Sequence, residues 1–443
     1  MPVRLDVLDP AEAEALLTAI LTQDRPRDAD GAGELCAELG FLPPAVEQAG
    51  AYLAQAGATP RQYLDLLARY PAAMCQASAE GGDAARTIAR IWRVTLDRLD
   101  DDPLAGQVLR ILAWYASEGI PRTLLDGLAD PPALLRATGR LAAYSVITTD
   151  TGTLAMHRLV QAVTRTPDPG DSHRSPQAIA DAWDQATCQL LAAAPALPDP
   201  APAVPEPVPG SVPPGLKAPV PVPAVLAPLD LAGWLVWRML LPHIDALASH
   251  ASPDADAETT AYLLNRAGLF LDNQGQPARA AGHLQRALAY RQRVRGEDHP
   301  GTLAFRDNLA GAYQAAGDLG RTIPLFEQTL ADSVRVLGED HPGTLAFHDN
   351  LAGAYQAAGD LGRAIPLFEQ TLADSVPVRG EDHRHTLTAR GNLAGAYQAA
   401  GDLGRAIPLF EQTLADSVRV RGEDHPKTKI VRGNLAAVRQ QPQ

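Results

Sequence analysis

Lysine is almost missing from this sequence, since the 443 residues include only Lys217, Lys427 and Lys429. Arginine supplies most of the positive charge, and the formal net charge is -14. This negative balance argues against binding to nucleic acid or anionic membranes through charge alone, so we expect neither partner. No stretch of about 18 uninterrupted apolar residues occurs, and the sequence therefore predicts no membrane span.

Cysteine is equally scarce. Cys36, Cys75 and Cys188 form no CxxC pair and no even set, which excludes a disulfide-stapled secreted domain. The first residues, MPVRLDVLDPAEAEALL, carry charges where a secretory signal needs an apolar run. We therefore expect a cytoplasmic protein. No Ser/His/Asp or Cys/His combination stands out, so the sequence predicts no catalytic residue.

One segment is present in several copies. GEDHPGTLAFRDNLAGAYQAAGDLGR begins at Gly296, and related copies begin at Gly338, Gly380 and Gly422. The constant spacing of 42 residues lies in the range that indicates a solenoid of stacked repeats.

The spacing of apolar residues within each unit predicts a pair of helices. Leu309 and Tyr313 lie on one side of the first helix, and Ile323 and Phe326 lie on one side of the second. A Gly-Asp pair between the two runs can end one helix and begin the next. Because one such hairpin is too small to bury its apolar face alone, stacking of copies is expected to complete the core.

This pattern resembles the tetratricopeptide repeat, in the 42-residue variety found in kinesin light chains and many bacterial signalling proteins. The matching positions in one unit are Leu309, Ala310, Tyr313, Gly317, Thr322 and Phe326. A weaker unit, TTAYLLNRAGLFLDNQGQPARAAGHLQRALAYRQRVRG, precedes them, and a single helix from Pro426 to about Arg439 can cap the stack. We assign residues 256–443 to about four hairpins and this cap.

Two details of the repeat lead to further expectations. Pro324, Pro366 and Pro408 lie about six residues into each second helix, so we expect each of these helices to start irregularly. The histidines of the GEDHP segments lie a whole repeat apart without a second ligand type, and we predict no metal site.

A row of amide side chains is the candidate partner-binding surface. Its members are Asn308, Gln314, Asn350, Gln356, Asn392, Gln398 and Asn434. In the repeat family the asparagine position lines the concave groove and holds the backbone of an extended peptide, and an amide offers a donor and an acceptor without charge. The alternative is that each asparagine bonds a neighbouring helix. The resemblance implies a protein or extended peptide as the partner.

The N-terminal half of the sequence predicts short helices followed by a proline-rich run. We expect a helical subdomain over 1–80, a winged-helix-like domain over 84–166 and a helix over 174–195. Residues 196–228 are expected to be an extended proline-rich linker, and 229–251 a connecting helix. The fold class is therefore mainly α, with a helical subdomain and winged helix ahead of a tetratricopeptide-repeat superhelix.

Two stretches of the front half resemble signal-transducing NTPases of the NB-ARC type. LGFLPPAVEQAGAYLAQAG matches a Gly-x-Leu-Pro-Leu-Ala motif whose proline packs against the adenine of ADP, a role that would fall on Pro43. MHRLVQAVTR resembles a Met-His-Asp motif whose histidine reaches the β-phosphate, a role that would fall on His157. Arg158 replaces the aspartate. Three helices that begin with TIARIWRVTLDRL precede an Asp150-Thr-Gly turn, which predicts a small hairpin and hence the winged helix.

The nucleotide-binding core of that family is not found in the sequence. No GxxxxGK[ST] segment is present, and the chain begins where the family's ATPase core would already have ended. We therefore expect no cofactor, with ADP or ATP bound only if a nucleotide-binding core is supplied from elsewhere.

Three functions follow from these features. The first is a non-catalytic signalling scaffold whose repeats bind a protein. The second is the regulatory half of an ADP/ATP-switched NTPase. The third is a winged-helix DNA-binding regulator, for which the candidate recognition helix, ALLRATGRLAAY, offers only Arg136 and Arg140.

Overall fold

The computed structural model describes residues 8–22, 28–68, 101–168, 171–196 and 231–440. The chain divides into an N-terminal unit, which ends at residue 252 and excludes the proline-rich run, and a repeat unit that begins at residue 253. The helix expected at TIARIWRVTLDRL and nearly all of the expected linker lie outside the described residues.

The first part of the N-terminal unit is helical. Its helices are α1 (Pro10–Thr22), α2 (Ala32–Glu38), α3 (Pro43–Ala56) and α4 (Pro60–Ala68). Leu17, Leu35, Leu53 and Tyr63 are fully buried between them. At Gly50 an added Cβ would lie 2.9 Å from the Ile20 side chain, so the absence of a side chain there lets α1 and α3 pack closely.

The second part of this unit combines helices with a small sheet. Its elements are α5 (Pro103–Leu112), β1 (Ile120–Pro121), a 3₁₀ turn (Arg122–Leu125), α6 (Pro131–Ala143), β2 (Thr148–Thr149), β3 (Thr153–Ala155), α7 (Arg158–Arg165), a second 3₁₀ turn (Ser172–Arg174) and α8 (Pro176–Ala193). The strands are antiparallel in the order β1-β3-β2, with Leu154 opposite both Ile120 and Thr149. The hairpin predicted around Asp150 is present.

Helix α9 (Leu231–His250) belongs to the same unit from Gly233 onward. The buried ring of His243 accepts a hydrogen bond from the Ala116 N–H at Nδ1 (3.2 Å), and its Nε2 lies 3.2 Å from the Gly119 carbonyl oxygen. Nε2 therefore carries the proton. These bonds join α9 to the loop before β1.

The repeat unit is a series of helix pairs, introduced by a 3₁₀ turn (Pro253–Ala255). The pairs are α10 (Glu258–Asn273) with α11 (Pro277–Arg295), α12 (Pro300–Ala315) with α13 (Leu319–Leu337), α14 (Pro342–Ala357) with α15 (Leu361–Arg379), and α16 (Arg384–Ala399) with α17 (Leu403–Arg421); α18 (Pro426–Arg439) follows alone. Phe326, Phe368 and Phe410 lie in the shared core.

The turn inside each pair follows the predicted chemistry. Gly317 ends α12 with a φ of 76°, a left-handed value that a residue with a side chain rarely adopts. Asp318 then caps α13 by accepting a hydrogen bond from the Arg321 N–H. The same Gly-Asp pair acts in the next two units.

The expectation of an irregular start to each second helix was wrong. Helix α13 runs without interruption from Leu319 to Leu337 with Pro324 inside it, and α15 and α17 do the same. Each proline removes one hydrogen bond, but both Pro324 and Gly320, whose carbonyl loses its partner, are exposed. Water can hydrate that carbonyl, and the helix can continue.

Helix α18 differs from the other first helices on the side that a second helix covers elsewhere. Lys429 stands where Leu303 is fully buried, and Arg439 stands where Tyr313 is buried. Leu435 and Val438 remain in the core. These replacements give α18 one apolar and one polar face, as a capping helix needs.

Candidate partner-binding surface

The asparagines form a ladder between successive first helices. Nδ2 of Asn308 donates to Oδ1 of Asn265 at 3.1 Å, and Nδ2 of Asn350 donates to the Asp307 carboxylate at 2.9 and 3.0 Å. Asn392 donates to Oδ2 of Asp349 at 2.8 Å. The structure thus contains the bond to a neighbouring helix that was the alternative to peptide binding.

Two of the three acceptors of this ladder, Asp307 and Asp349, are carboxylates that the fold shields from water. Asp307 is 5% exposed, and burial raises its pKa to about 7, while the bond from Asn350 opposes the rise. Burial likewise raises the pKa of Asp349 to about 6, with Asn392, Arg379 and Lys427 opposing. Nδ2 of Asn350 and Nδ2 of Asn392 therefore each stabilise the charged form of an otherwise poorly solvated acid.

The sequence analysis did not single out these acceptors. The available signal was an amide or acid directly before the asparagine position, at Asn265, Asp307 and Asp349. In the next unit Gly391 takes this place, so Asn434 has no corresponding acceptor there. Asn434 is exposed, and among the described residues it has no side-chain hydrogen-bond partner.

The ladder leaves hydrogen-bonding capacity unused. Asn308, Asn350 and Asn392 are half-buried, and within the described ranges their Oδ1 atoms accept no hydrogen bond. The glutamines at 314, 356 and 398 are also half-buried, and their side-chain amides bond to none of the described residues. One amide oxygen per asparagine and a whole amide per glutamine can therefore bond to another molecule.

Pro43 is held at the start of α3 by an unusual turn. Gly40 and Phe41 both have left-handed backbone angles, with φ values of 64° and 54°. The value at Phe41 is uncommon for a residue with a side chain. Together these residues turn the chain so that Leu42 becomes the N-cap and Pro43 the first helical residue.

His157 lies exposed between β3 and α7. Partial desolvation by the surrounding chain and the neighbouring Arg158 lower its pKa, and Glu47 acts in the opposite direction. Glu47 lies one turn after Pro43 on α3, so its carboxylate links that helix electrostatically to His157. The Glu47 carboxylate would repel a phosphate bound at His157.

The other features considered are the expected recognition helix, a metal site and a membrane span. Arg140 donates to the Asp101 carboxylate at 2.5 Å, so this arginine of the expected recognition helix is already paired. No three His, Cys, Asp or Glu side chains among the described residues are grouped to hold a metal ion. In the same part of the chain, no helix is both long and apolar enough to cross a bilayer.

Comparison with known proteins identifies the repeats. Residues 259–331, 304–375, 350–417 and 385–442 each match the tetratricopeptide repeat family model. The repeat unit is therefore a tetratricopeptide-repeat superhelix, as the 42-residue period predicts.

One curated relative is a nucleotide-binding leucine-rich repeat (NLR)-like protein of Hyaloscypha variabilis, which is 30% identical over 177 residues. The match covers 36% of this chain and 17% of that protein, so the chain spans only a small part of its relative.

Two solved structures are similar over different extents. A kinesin light chain protein with nearly identical TPR-like repeats from Podosopora anserina is 30% identical, with a TM-score of 0.37 over 42% of this chain and 88% of that one. A signal transduction ATPase with numerous domains and a tetratricopeptide repeat sensor from Pyrococcus horikoshii is 11% identical. Its TM-score is 0.30, over 98% of this chain and 69% of that one.

Proposed function

We propose that the chain is a non-catalytic signalling scaffold of the cytoplasm whose tetratricopeptide repeats bind a protein through an extended peptide segment. The observation that carries the proposal is the periodic set of half-buried amides with unused hydrogen-bonding capacity. An extended peptide presents a periodic series of N–H and C=O groups, which such amides can pair without charge.

The ladder gives the asparagines a second role that supports the first. Because Nδ2 of Asn350 is fixed by Asp307 and Nδ2 of Asn392 by Asp349, the two side chains are held in place before any partner arrives. A fixed side chain loses less rotamer freedom on binding than a mobile one. The acids thus position amides that a peptide would contact.

The experiment uses the glutamines, which have no structural hydrogen bond to lose. Peptides that bind the full chain are first selected from a random phage-displayed library. Their affinity is then measured for the wild type and for the Gln356→Ala/Gln398→Ala variant. We expect affinity to fall roughly tenfold with an unchanged melting temperature, since each lost contact contributes on the order of 1 kcal/mol.

Asn350→Ala and Asn434→Ala form a matched pair that tests the structural role of the asparagine ladder. Asn350→Ala removes the partner of buried Asp307 and should lower stability, whereas Asn434→Ala should not. If no peptide is selected, or if the glutamine variant binds as tightly as the wild type, the amides are structural and the proposed surface is wrong.

A second candidate function is the regulatory half of an ADP/ATP-switched NB-ARC-type NTPase whose core is missing or supplied elsewhere, with residues 84–166 as its winged-helix-like domain. The electrostatic interaction of His157 with Glu47, one turn after Pro43 on α3, favours it. Calorimetry of the chain with ADP tests it: micromolar binding that is lost in His157→Ala would favour the switch. We expect no such binding because Glu47 opposes a phosphate there.

A further inference from the structure

The repeats are nearly identical, and several of their differences add positive charge at the start of a first helix. The two residues after each Gly-Glu-Asp-His segment are Pro300-Gly301 and Pro342-Gly343 in the earlier copies. They become Arg384-His385 and then Pro426-Lys427 in the later copies. Two of the three substitutions introduce a permanent positive charge, and the third introduces histidine.

The structure brings these residues together with two arginines at the ends of the preceding helices. Arg421 donates from Nη2 to the Arg384 carbonyl oxygen at 2.6 Å, and Arg379 donates to the Pro342 carbonyl. The His385 ring stacks on His383 with centroids 5.3 Å apart. We call Arg379, Arg384, His385, Arg421 and Lys427 the cationic cluster.

The members of the cationic cluster disfavour each other's positive charge. Burial and then Arg379, Arg384, His383 and Lys427 lower the pKa of His385 to about 3. The pKa of Lys427 is lowered by burial, Arg421 and Arg384, with Asp349 acting in the opposite direction.

Several arginines elsewhere in the repeats are paired with acids. Arg295, which is equivalent to Arg379 and Arg421, binds Glu258 at 2.7 Å, and Arg306 binds Asp332 at 2.6 Å. Within the described residues, by contrast, the four permanently charged members of the cationic cluster form no ion pair with a carboxylate. In a chain of net charge -14, this concentration of positive charge without ion pairs favours the binding of an external anion.

We propose that the cationic cluster is a binding site for the acidic side chains of a peptide that extends along the asparagine ladder. The cluster borders that ladder, because Arg384 and His385 begin α16, which also carries Asn392, and Lys427 lies at the start of α18, which carries Asn434. This inference rests on the proposed function and adds the charge of the partner. Exposed Arg384 and Lys427 make the first contacts, and half-buried Arg379 and Arg421 supply the field behind them.

The chain itself supplies the variant that tests the cluster. Arg384→Pro/His385→Gly/Lys427→Gly restores the Pro-Gly pair that begins α12 and α14, so it should fold and melt no earlier than the wild type. A fluorescein-labelled oligoglutamate peptide is the probe, and its anisotropy gives the affinity. We expect the triple variant to bind at least about tenfold more weakly, and added salt to weaken the wild type.

Two controls separate this site from non-specific charge. Arg136→Gln/Arg238→Gln removes two positive charges, as many as the triple variant does, but from exposed positions of the N-terminal unit. This variant should bind oligoglutamate as the wild type does. Pro342→Arg/Gly343→His places the Arg-His pair at the preceding position and should tighten binding. A neutral Gly-Ser peptide of equal length should not bind the cluster.

Failure of this proposal is distinguishable from failure of the proposed function. If oligoglutamate does not bind, or binds the triple variant as tightly as the wild type, the cationic cluster is not an acidic-peptide site, while library-selected peptides can still depend on the glutamines. If no library peptide is selected but oligoglutamate binding requires the cluster, the anion site stands and the peptide groove is wrong.

Discussion

The two units of this chain are stabilised in different ways. In the repeat unit one contact recurs at a fixed spacing: the guanidinium of Arg321 lies 4.1 Å from the ring centre of Tyr313, and the next two repeats reproduce this distance. In the N-terminal unit the contacts occur once and join distant parts of the chain. The Tyr115 hydroxyl donates to the Ala186 carbonyl, and His243 bonds to Ala116.

This difference shows how the same kind of helix can be fixed by repetition or by individual contacts. A repeat touches mainly its neighbours, so a substitution should have similar effects in equivalent repeats unless the repeats differ in sequence. A substitution in the N-terminal unit removes a contact that no second copy provides. Single substitutions in both units can test the contrast.

The largest effect is expected at Phe368, which is 1% exposed in the core of the repeat unit. Phe368→Ala should lower the free energy of unfolding by about 3–5 kcal/mol, because the ring leaves a cavity that the helices cannot fill. Urea unfolding followed by circular dichroism gives the value. Val378→Ala, at a position 39% exposed on the same helix, is the control and should cost far less.

Phe326→Ala, one repeat earlier, should give a similar loss. If the two phenylalanine variants differed by more than about 2 kcal/mol, the repeats would not be energetically equivalent and the comparison between the units would weaken.

The next effect is expected at His243 in the N-terminal unit. His243→Leu keeps most of the side-chain volume but leaves the Ala116 N–H and the Gly119 carbonyl without their partner, which should cost about 2 kcal/mol. Burial lowers the pKa of His243, so the folded unit favours the neutral ring. The contribution should be complete above the unfolded pKa of about 6.5 and decline as the pH falls below it.

Thermal unfolding of the wild type and His243→Leu at pH 7.5 and pH 5.5 checks this expectation. The difference between the two proteins should shrink at the lower pH. A difference that stayed constant or grew would mean that His243 is not held neutral by these bonds.

The contrast between the units also explains what could be predicted from sequence. The helix pairs, the Gly317 turn and the capping helix follow from local patterns that recur every 42 residues, so the sequence was sufficient for them. The bonds of His243 join residues more than a hundred positions apart and leave no periodic trace. For that unit, the expected roles of Pro43 and His157 came from resemblance rather than from a pattern.

The candidate surface was predictable only in part. The amide row is visible in the sequence because its members recur, but the bond from Asn350 to Asp307 depends on how successive first helices are staggered. The irregular helix start was expected from the clash that proline causes, and that expectation neglected the exposure of Gly320 and Pro324.

A smaller effect, of opposite sign, is expected at Asp307. Its pKa is raised to about 7 by burial, so the charged form destabilises the fold at neutral pH. Asp307→Asn introduces the amide that Asn265 provides in the preceding repeat, and it should stabilise the protein by about 1–2 kcal/mol at pH 8.

The sign of the pH dependence follows from the raised pKa. As pH rises from about 4 to 7, the unfolded chain loses this proton before the folded one does, and wild-type stability falls. The advantage of Asp307→Asn in melting temperature should therefore be larger at pH 8 than at pH 5. Asp349→Asn should gain less, since Arg379 and Lys427 already favour that charge. Equal gains at both pH values would show that Asp307 is charged throughout.

The smallest effect concerns a difference between otherwise equivalent repeats. Arg306 and Arg390 are buried and bind Asp332 and Asp416 at 2.6 Å, but the repeat between them has His348 at this position. The Nδ1 atom of His348 is buried without a hydrogen-bond partner among the described residues, and burial lowers the pKa of the ring despite Asp374 and Glu339. His348→Arg should bind Asp374 and raise the free energy of unfolding by about 1 kcal/mol at pH 7.5.

Below pH 6.5 the wild type should lose stability because the unfolded histidine binds a proton more readily, so the gap between the two melting temperatures should widen at pH 5.5. The reverse change, Arg390→His, is the matched control and should lower stability. If His348→Arg melted earlier than the wild type, this repeat would be packed around the smaller ring, and equivalence between the repeats would end at this position.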